Sequence, residues 1–369
     1  MSKKRVVHYT IGFHYPYRGG VETDIGNTYN MTKDKYDHIV VCKNGGALYG
    51  DLLTVSSVGK QGRSTYCQNY KDWYVDGILP KSSPEFDEYT VDIINNLKPD
   101  ILIGYGSEGI EKLIPLLECK ASRKFLKTQA VIGYEMEVLA QRKHNIELIC
   151  YNPNDMYKAR EFMFMNDIHY IPFAYDDSVF NSYDREPYIK GNTIKCLYTG
   201  RVAPGKNTLE LVSVFNRLIN EDKRDIILNI VGGSFDPPYF DLVKKKISTN
   251  NISILPWLDH SELSDMYKQH TISVIPSFFE AFCASALESL ACGCITVMNN
   301  TYTDYWAKKY VVNGCHLGHE KPSEETLYTA MNYALDNIEF LLNKDFSEQI
   351  YYKHSFSTVK RRWLEVLNG

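Results

Sequence analysis

The chain has 369 residues, 44% of them apolar and 23% charged, with a formal net charge of −4. That composition fits a globular protein too long for one core and sized for two domains, and the small negative charge excludes a global attraction to nucleic acid or anionic membrane. No run of 18 apolar residues occurs, and the basic start Met1-Ser-Lys-Lys-Arg5 lacks an apolar stretch behind it, so neither a transmembrane helix nor a signal peptide is expected.

Short apolar runs alternate with helical stretches, which predicts parallel sheets with helices on both faces. In chain order, the first half predicts strands over 5–11, 37–42, 50–56, 100–104, 127–132 and 146–151, with helices over 21–32, 84–97, 108–118 and 153–164. Residues 175–191 are polar, turn-rich and weakly periodic, as a linker should be. The pattern then restarts, with strands over 194–199, 226–231, 252–255, 271–275 and 294–298 and helices over 206–220, 238–248, 261–269, 282–292 and 323–341. This divides the chain into an N-terminal domain (1–175), a linker (176–192) and a C-terminal domain (193–354). A last helix over 355–369 is expected to cross back onto the N-terminal domain. The fold class is α/β, two Rossmann-like doubly wound domains facing across a cleft. Nine cysteines, an odd number without paired spacing, point to reduced thiols and a cytoplasmic location. Cys292 and Cys294 stand too close for a zinc knuckle and read as small buried hydrophobes.

Four segments carry chemistry. Tyr15-Pro-Tyr-Arg-Gly19-Gly20-Val-Glu22 lies between the first strand and first helix, where glycines let backbone amides approach an anion, or simply turn the chain. It is not G-x-G-x-x-G, so a nicotinamide or flavin fingerprint is absent. Leu197-Tyr-Thr-Gly200-Arg201-Val-Ala-Pro-Gly-Lys206 ends a strand in two cations before a helix. That pairing suits a diphosphate, although an exposed loop with ordinary surface cations reads the same way. Ile230-Val-Gly232-Gly233 runs a strand into two glycines. Ile275-Pro-Ser-Phe-Phe-Glu280-Ala-Phe282-Cys283-Ala284-Ser-Ala-Leu-Glu288 places two carboxylates eight positions apart. On one helical lattice that spacing sets them about 80° apart, able to address one elongated polar ligand.

In this order the segments Gly19-Gly20-Val-Glu22, Gly200-Arg201-x4-Lys206, Ile230-Val-Gly232-Gly233 and Pro276-Ser277-x2-Glu280-x7-Glu288 resemble the retaining GT-B glycosyltransferases of the glycogen-synthase-like family 4. Ile171-Pro-Phe-Ala-Tyr-Asp176-Asp-Ser-Val-Phe180 resembles that family's interdomain segment, with Phe-Ala in place of Asn-Gly.

The resemblance implies an enzyme that moves a sugar from a nucleoside diphosphate to an acceptor hydroxyl, with retention. Arg201 and Lys206 would hold the donor diphosphate, together with Gly200 and the backbone amide of Gly20 beside Gly19. Glu280, with the amides of Phe282 and Cys283 and the small Ala284, would hold the sugar hydroxyls, and Glu288 the ribose. Gly233, Trp257 and Leu258 would flank the base. The implied chemistry is front-face substitution, in which a phosphate oxygen takes the acceptor's proton. No metal and no cofactor beyond the nucleotide sugar, UDP-sugar by default, is expected. Relatives carry a histidine on an N-terminal-domain loop; here that stretch reads Thr128-Gln-Ala-Val-Ile-Gly-Tyr134-Glu135, so Tyr134, Glu135 and the loop residue His14 are the acceptor-side candidates.

A surface glycan or lipid-linked sugar is the default acceptor. The basic cluster Lys112, Lys120, Arg123, Lys124 and Lys127 would suit an anionic membrane or nucleic acid, or be a solvated helix face. An AT-rich bias (28 Tyr) leaves a hydroxymethylated base of phage DNA as an alternative acceptor. A phosphorylase or epimerase on the same architecture, and a non-catalytic sugar-nucleotide-binding module, are the remaining alternatives.

Overall fold

The computed structural model describes residues 3–13, 19–45, 53–56, 83–106, 114–128, 145–151, 156–157, 159–160, 168–186, 188–278, 280, 282–300, 307–317 and 321–369. The chain forms two compact units, one of Met1–Ala174 with Phe356–Gly369 and the other of Tyr175–Ser355. Residues 176–192 are therefore counted with the second unit, where the Arg185 guanidinium donates to the carbonyls of Gly293 and His270. No helix of the described residues is long and apolar enough to cross a membrane.

Among the described residues the first unit has seven strands, β1 (Lys4–Phe13), β2 (Tyr36–Gly45), β3 (Leu53–Ser56), β4 (Ile101–Gly106), β5 (Arg123–Thr128), β6 (Glu147–Cys150) and β7 (Ile168–Tyr170). They pair in the order β3-β2-β1-β4-β5-β6-β7, every pair parallel. Parallel strands covered on both faces need near-continuous apolar runs, and Val6-Val7 and Ile101-Leu102-Ile103 supply them, all at most 2% exposed. Helices α1 (Gly20–Thr32), α2 (Ser83–Leu97) and α3 (Ile114–Glu118) flank the sheet.

The terminal helix Phe356–Asn368 belongs to this unit although it follows the whole second unit in the chain. Its buried residues Val359, Trp363 and Leu367 recur every four positions and join Val6, Ile25 and Phe125 in one apolar cluster. That spacing places them on one helical stripe.

Two strands and a helix have weak sequence signals, β7, β13 (Val312–Asn313) and α10 (Ser347–His354), and were not predicted. β5 lies four residues earlier than the predicted 127–132, because its charges find partners inside the fold. Arg123 makes a two-pronged bond to Glu147, at 2.8 and 2.6 Å, and Lys124 donates to the Leu117 carbonyl. Lys127 Nζ lies 2.7 Å from Asp24 Oδ1, with the lysine side chain wholly buried.

The expected basic surface on a sheet-flanking helix is thereby corrected: Arg123, Lys124 and Lys127 sit on a strand, and Lys120 alone among the described members is exposed. Lys112 lies outside the described residues. His8 on β1 is a core residue bonded to Tyr105 (3.0 Å) and His38 (2.9 Å). Burial holds both imidazoles below their usual range, His38 at about 3, so the pair is neutral.

The second unit adds β8 (Ile194–Thr199), β9 (Ile226–Val231), β10 (Ile252–Leu255), β11 (Ile272–Ile275), β12 (Ile295–Met298) and β13, in the order β10-β9-β8-β11-β12-β13 and all parallel. Its helices are α4 (Thr208–Asn220), α5 (Pro237–Lys246), α6 (His260–Gln269), α7 (Ala284–Ala291), α8 (Glu324–Asp336), α9 (Ile338–Leu342) and α10. Caps written in the sequence start several of them. Asp259 and Glu262 form a capping box on α6, and Ser323 with Thr326 does the same for α8. The single helix predicted over 323–341 is two, broken at Asn337, whose side-chain amide donates to the Tyr333 carbonyl at 2.8 Å and competes with the helical ladder. Among the described residues no disulfide forms, and all eight described cysteines are buried, Cys292 and Cys294 among them.

Candidate active site

Counted within the second unit, the strand order is 3-2-1-4-5-6, so the connections reverse direction between β8 and β11. In doubly wound sheets ligands bind outside the carboxyl ends of strands at this switch point. The loops leaving β8 and β11 are the Gly200–Lys206 and Pro276–Cys283 segments.

The β8 loop is fixed by its neighbours. Gly200 N–H donates to the Val231 carbonyl at 3.0 Å and Val202 N–H to that of Gly233 at 2.8 Å. Gly232, at φ +143°, has no room for a side chain, since a Cβ there would stand 2.0 Å from the Gly200 carbonyl oxygen. A Cβ at Gly233 would meet Trp257 Nε1 at 2.7 Å. The half-buried indole thus packs on the glycine pair, and Leu258 beside it is also half-buried. Arg201 is exposed, and its carbonyl accepts the Tyr198 hydroxyl at 2.6 Å. Burial and the nearby Glu280 push that phenol's pKa up, so it stays protonated as a donor.

A 3-10 turn over Pro204–Lys206 leads to Asn207, which takes left-handed backbone angles (φ 50°, ψ 39°). Asn207 does not cap α4 with its side chain. Its Nδ2 donates to the Pro276 carbonyl at 2.8 Å, tying the β8 loop to the β11 loop. Among the described residues its buried Oδ1 has no hydrogen-bond partner.

On the β11 side, Glu280 Oε1 lies 2.5 Å from Lys206 Nζ, an ion pair across the switch point with side chains 14% and 25% exposed. Cys283 turns the chain into α7 at φ +71°, and burial, then Glu280, raises its thiol to about 12, which keeps it protonated. Phe282 is buried with its ring 5.7 Å from that of His354, while Ala284 opens α7 half-buried.

Glu288, one helical turn further on, is 7% exposed. Burial lifts its carboxyl to about 8 against the partial offset of a hydrogen bond with Tyr267. The Tyr267 hydroxyl also lies 2.7 Å from Thr199 Oγ1 and 3.3 Å from the Ser285 carbonyl.

The structure thus brings Gly200, Arg201, Lys206, Gly233, Trp257, Glu280, Cys283 and Glu288 to the carboxyl ends of β8 to β11 in one unit. The 80° argument linking Glu280 to Glu288 does not hold, because Glu280 precedes α7 and the left-handed Cys283 interrupts the lattice between them. Gly19 and Gly20 open α1 in the first unit, and a Cβ at either would meet no protein atom within 4 Å. His14, Tyr134 and Glu135 lie outside the described residues. Among the described residues no three His, Cys, Asp or Glu side chains converge as a metal ion would need.

Two contributors escaped the sequence reading. Asn207 was legible only as a polar residue ahead of an apolar helix, the usual signal of an N-cap. Tyr267 sits on α6, and nothing in its own segment ties it to Glu288.

Residues 180–351 match the family model of glycosyl transferases group 1. No curated protein matches the chain in sequence. Among solved structures, a sucrose-phosphate synthase from Thermosynechococcus elongatus superimposes with a TM-score of 0.72 at 14% identity, covering 99% of this chain and 98% of that one. HepE of Anabaena, in complex with UDP and glucose, gives 0.70 at 10% identity with 99% of each chain covered. WaaG, a glycosyltransferase involved in lipopolysaccharide biosynthesis, gives 0.68 at 12% identity, covering 99% of this chain and 100% of that one. The fold is that of the GT-B glycosyltransferases. The second unit carries a group 1 glycosyltransferase domain.

Proposed function

We propose that this enzyme transfers a sugar from UDP-sugar to an acceptor hydroxyl with retention of anomeric configuration. The observation that carries the reading is the Lys206–Glu280 ion pair at the switch point of the group 1 domain. A diphosphate seated beside the exposed Arg201 would draw on the Lys206 ammonium, and the two cations would neutralise charge that builds on the leaving phosphate. Removing one such stabilising group commonly costs about 10²–10³ in kcat. Glu280, freed from its share of Lys206, would accept hydrogen bonds from the donor sugar, and Glu288 from the ribose. Trp257 and Leu258 would border the base. Uridine is favoured because HepE was solved with UDP-glucose.

Attack from the face on which the diphosphate leaves is the route the resemblance supports. The acceptor oxygen forms its bond to the anomeric carbon as the carbon–phosphate oxygen bond breaks, and the acceptor proton passes to the departing phosphate. The acceptor reading is a glycan or a lipid-linked sugar.

A thermal-shift screen over UDP-, ADP-, GDP- and dTDP-sugars tests the donor, since a ligand that binds the folded state alone raises its stability. NMR of the product anomer tests retention. A UDP-sugar is expected to give the largest shift and a product with the donor's configuration. No shift with any nucleotide sugar, or an inverted product, would overturn the assignment.

A further inference from the structure

The second unit holds a cavity of about 230 Å³ at the other end of β12 from the candidate active site. Its wall includes Ile295 and Thr296, where β12 begins, Leu290 in the last turn of α7, and Gly293 just beyond that helix. The floor is apolar in effect. Leu290, Ile295, Val312 and Leu342 line it, and the polar side chains among them are already engaged. Thr296 Oγ1 lies 2.7 Å from Ser289 Oγ, and Asn313 bonds the backbone of Asn300 and Cys315. An edge-to-face pair, Tyr310 with Phe346 at 5.1 Å between ring centroids, forms one side.

The rim has the opposite character. Lys308, Lys309 and Lys344 border the cavity with one carboxylate, Asp345. All three lysines are exposed, and among the described residues none forms an ion pair. Lys309 and Lys344 lie instead over aromatic rings, Tyr310 at 4.7 Å and Phe340 at 4.1 Å. Three ammonium groups against one carboxylate leave an excess of two positive charges over an apolar, aromatic-walled hollow.

We propose that this cavity is a second ligand site, for a small phosphate monoester carried on an apolar ring. The charge excess matches a phosphate dianion, and lysines bind phosphate as point charges without demanding one geometry. The hollow has room for roughly eight water-sized volumes of about 30 Å³, enough for a ring and too little for a whole nucleotide sugar. α7 spans from the Cys283 turn of the candidate active site to Leu290 at the cavity wall, so the two sites share one helix and no residue.

The test is isothermal titration of the full-length protein with phenyl phosphate, inorganic phosphate and phenol, the probes that separate head from body. Phenyl phosphate is expected to bind at least about tenfold more tightly than either fragment, and the Lys308→Gln/Lys344→Gln double variant to lose about tenfold or more. These lysines are exposed, so the double variant should keep its melting temperature. Leu342→Trp, which fills the hollow, should abolish binding, and Arg201→Ala should leave it unchanged. Equal binding of inorganic phosphate, undiminished binding by the double-lysine variant, or loss in Arg201→Ala would each overturn the proposal, the last by placing the ligand at the first site.

Discussion

Asn207 and Pro276 are joined by a 2.8 Å hydrogen bond from a side-chain amide to a backbone carbonyl, and that bond closes the switch point of the second sheet. It sets the distance between the segment bearing Lys206 and the segment bearing Glu280. Asn207→Gly is informative because glycine keeps the left-handed backbone while deleting the bond. The variant should fold, lose about 1 kcal/mol of stability, and fall about tenfold in kcat/KM through looser placement of the ion pair. Steady-state kinetics alongside thermal melts would check this; unaltered kinetics would remove Asn207 from the machinery.

The Lys206–Glu280 pair and Arg201 divide the expected losses. Arg201→Ala removes an exposed cation that nothing in the unit needs for packing, so the melting temperature should hold while kcat drops about 10²-fold or more. Lys206→Met leaves the Glu280 carboxylate with its close partner gone and should lower both stability and turnover. A double-mutant cycle with Glu280→Gln would show whether the two act as one unit, as a coupling well above about 0.5 kcal/mol.

Glu288 predicts a pH dependence with a definite sign. Its carboxyl, held at about 8 by burial, keeps its proton in the folded protein, whereas the unfolded chain releases it near 4.5. Folding stability from this group therefore declines as pH climbs from about 4.5 to about 8 and is level above that. Glu288→Gln should close the gap, gaining up to about 5 kcal/mol over the parent at pH 8 and nothing at pH 4, read by urea melts across that range. If the carboxylate accepts ribose hydroxyls, UDP affinity of the parent should rise from pH 6 to 9 and that of the variant should stay flat.

The terminal helix carries a stability prediction. Lys127 and Asp24 form a pair with side chains 0% and 4% exposed, and the Lys127 ammonium lies 4.6 Å from the centre of the Trp363 ring. Breaking a buried pair from one side leaves a charge without compensation and costs about 3–5 kcal/mol. Asp24→Asn should therefore destabilise the first unit by about that amount, and Trp363→Ala by a similar 3–5 kcal/mol through the cavity it leaves. Removing residues 354–369 strips Val359, Trp363 and Leu367 from the core and should yield a protein with a loosened first unit. Hydrogen exchange resolved by segment would localise the effect; protection of β1 and β5 as in the parent would contradict it.

The second sheet was legible because its strands are short, uniformly apolar runs punctuated by glycine and proline, so β8 to β12 fall within a residue of expectation. β5 was not, because Arg123, Lys124 and Lys127 look like surface until Glu147 and Asp24 are known to lie beside them. The same limit applied at the site. Gly200, Arg201 and Lys206 form a local motif whose residue types announce an anion, and Glu280 sits in one that announces a polar ligand. Tyr267 and the raised carboxyl of Glu288 depend on packing between segments far apart in sequence, and no local pattern encodes it. Asn207 sat inside a motif and was overlooked, because its position suggested a cap and its side chain reaches another loop.

The first unit is interrupted: its sheet is complete by Tyr170, yet its last helix follows the 175–355 segment. On the ribosome that segment takes roughly 10–35 s to make at about 5–20 residues per second. During that interval the seats for Val359, Trp363 and Leu367 stay open, and Asp24 and Lys127 lack their aromatic lid. The second unit, being continuous, can finish first. The newborn first unit then keeps that apolar seat exposed until the helix Phe356–Asn368 has emerged.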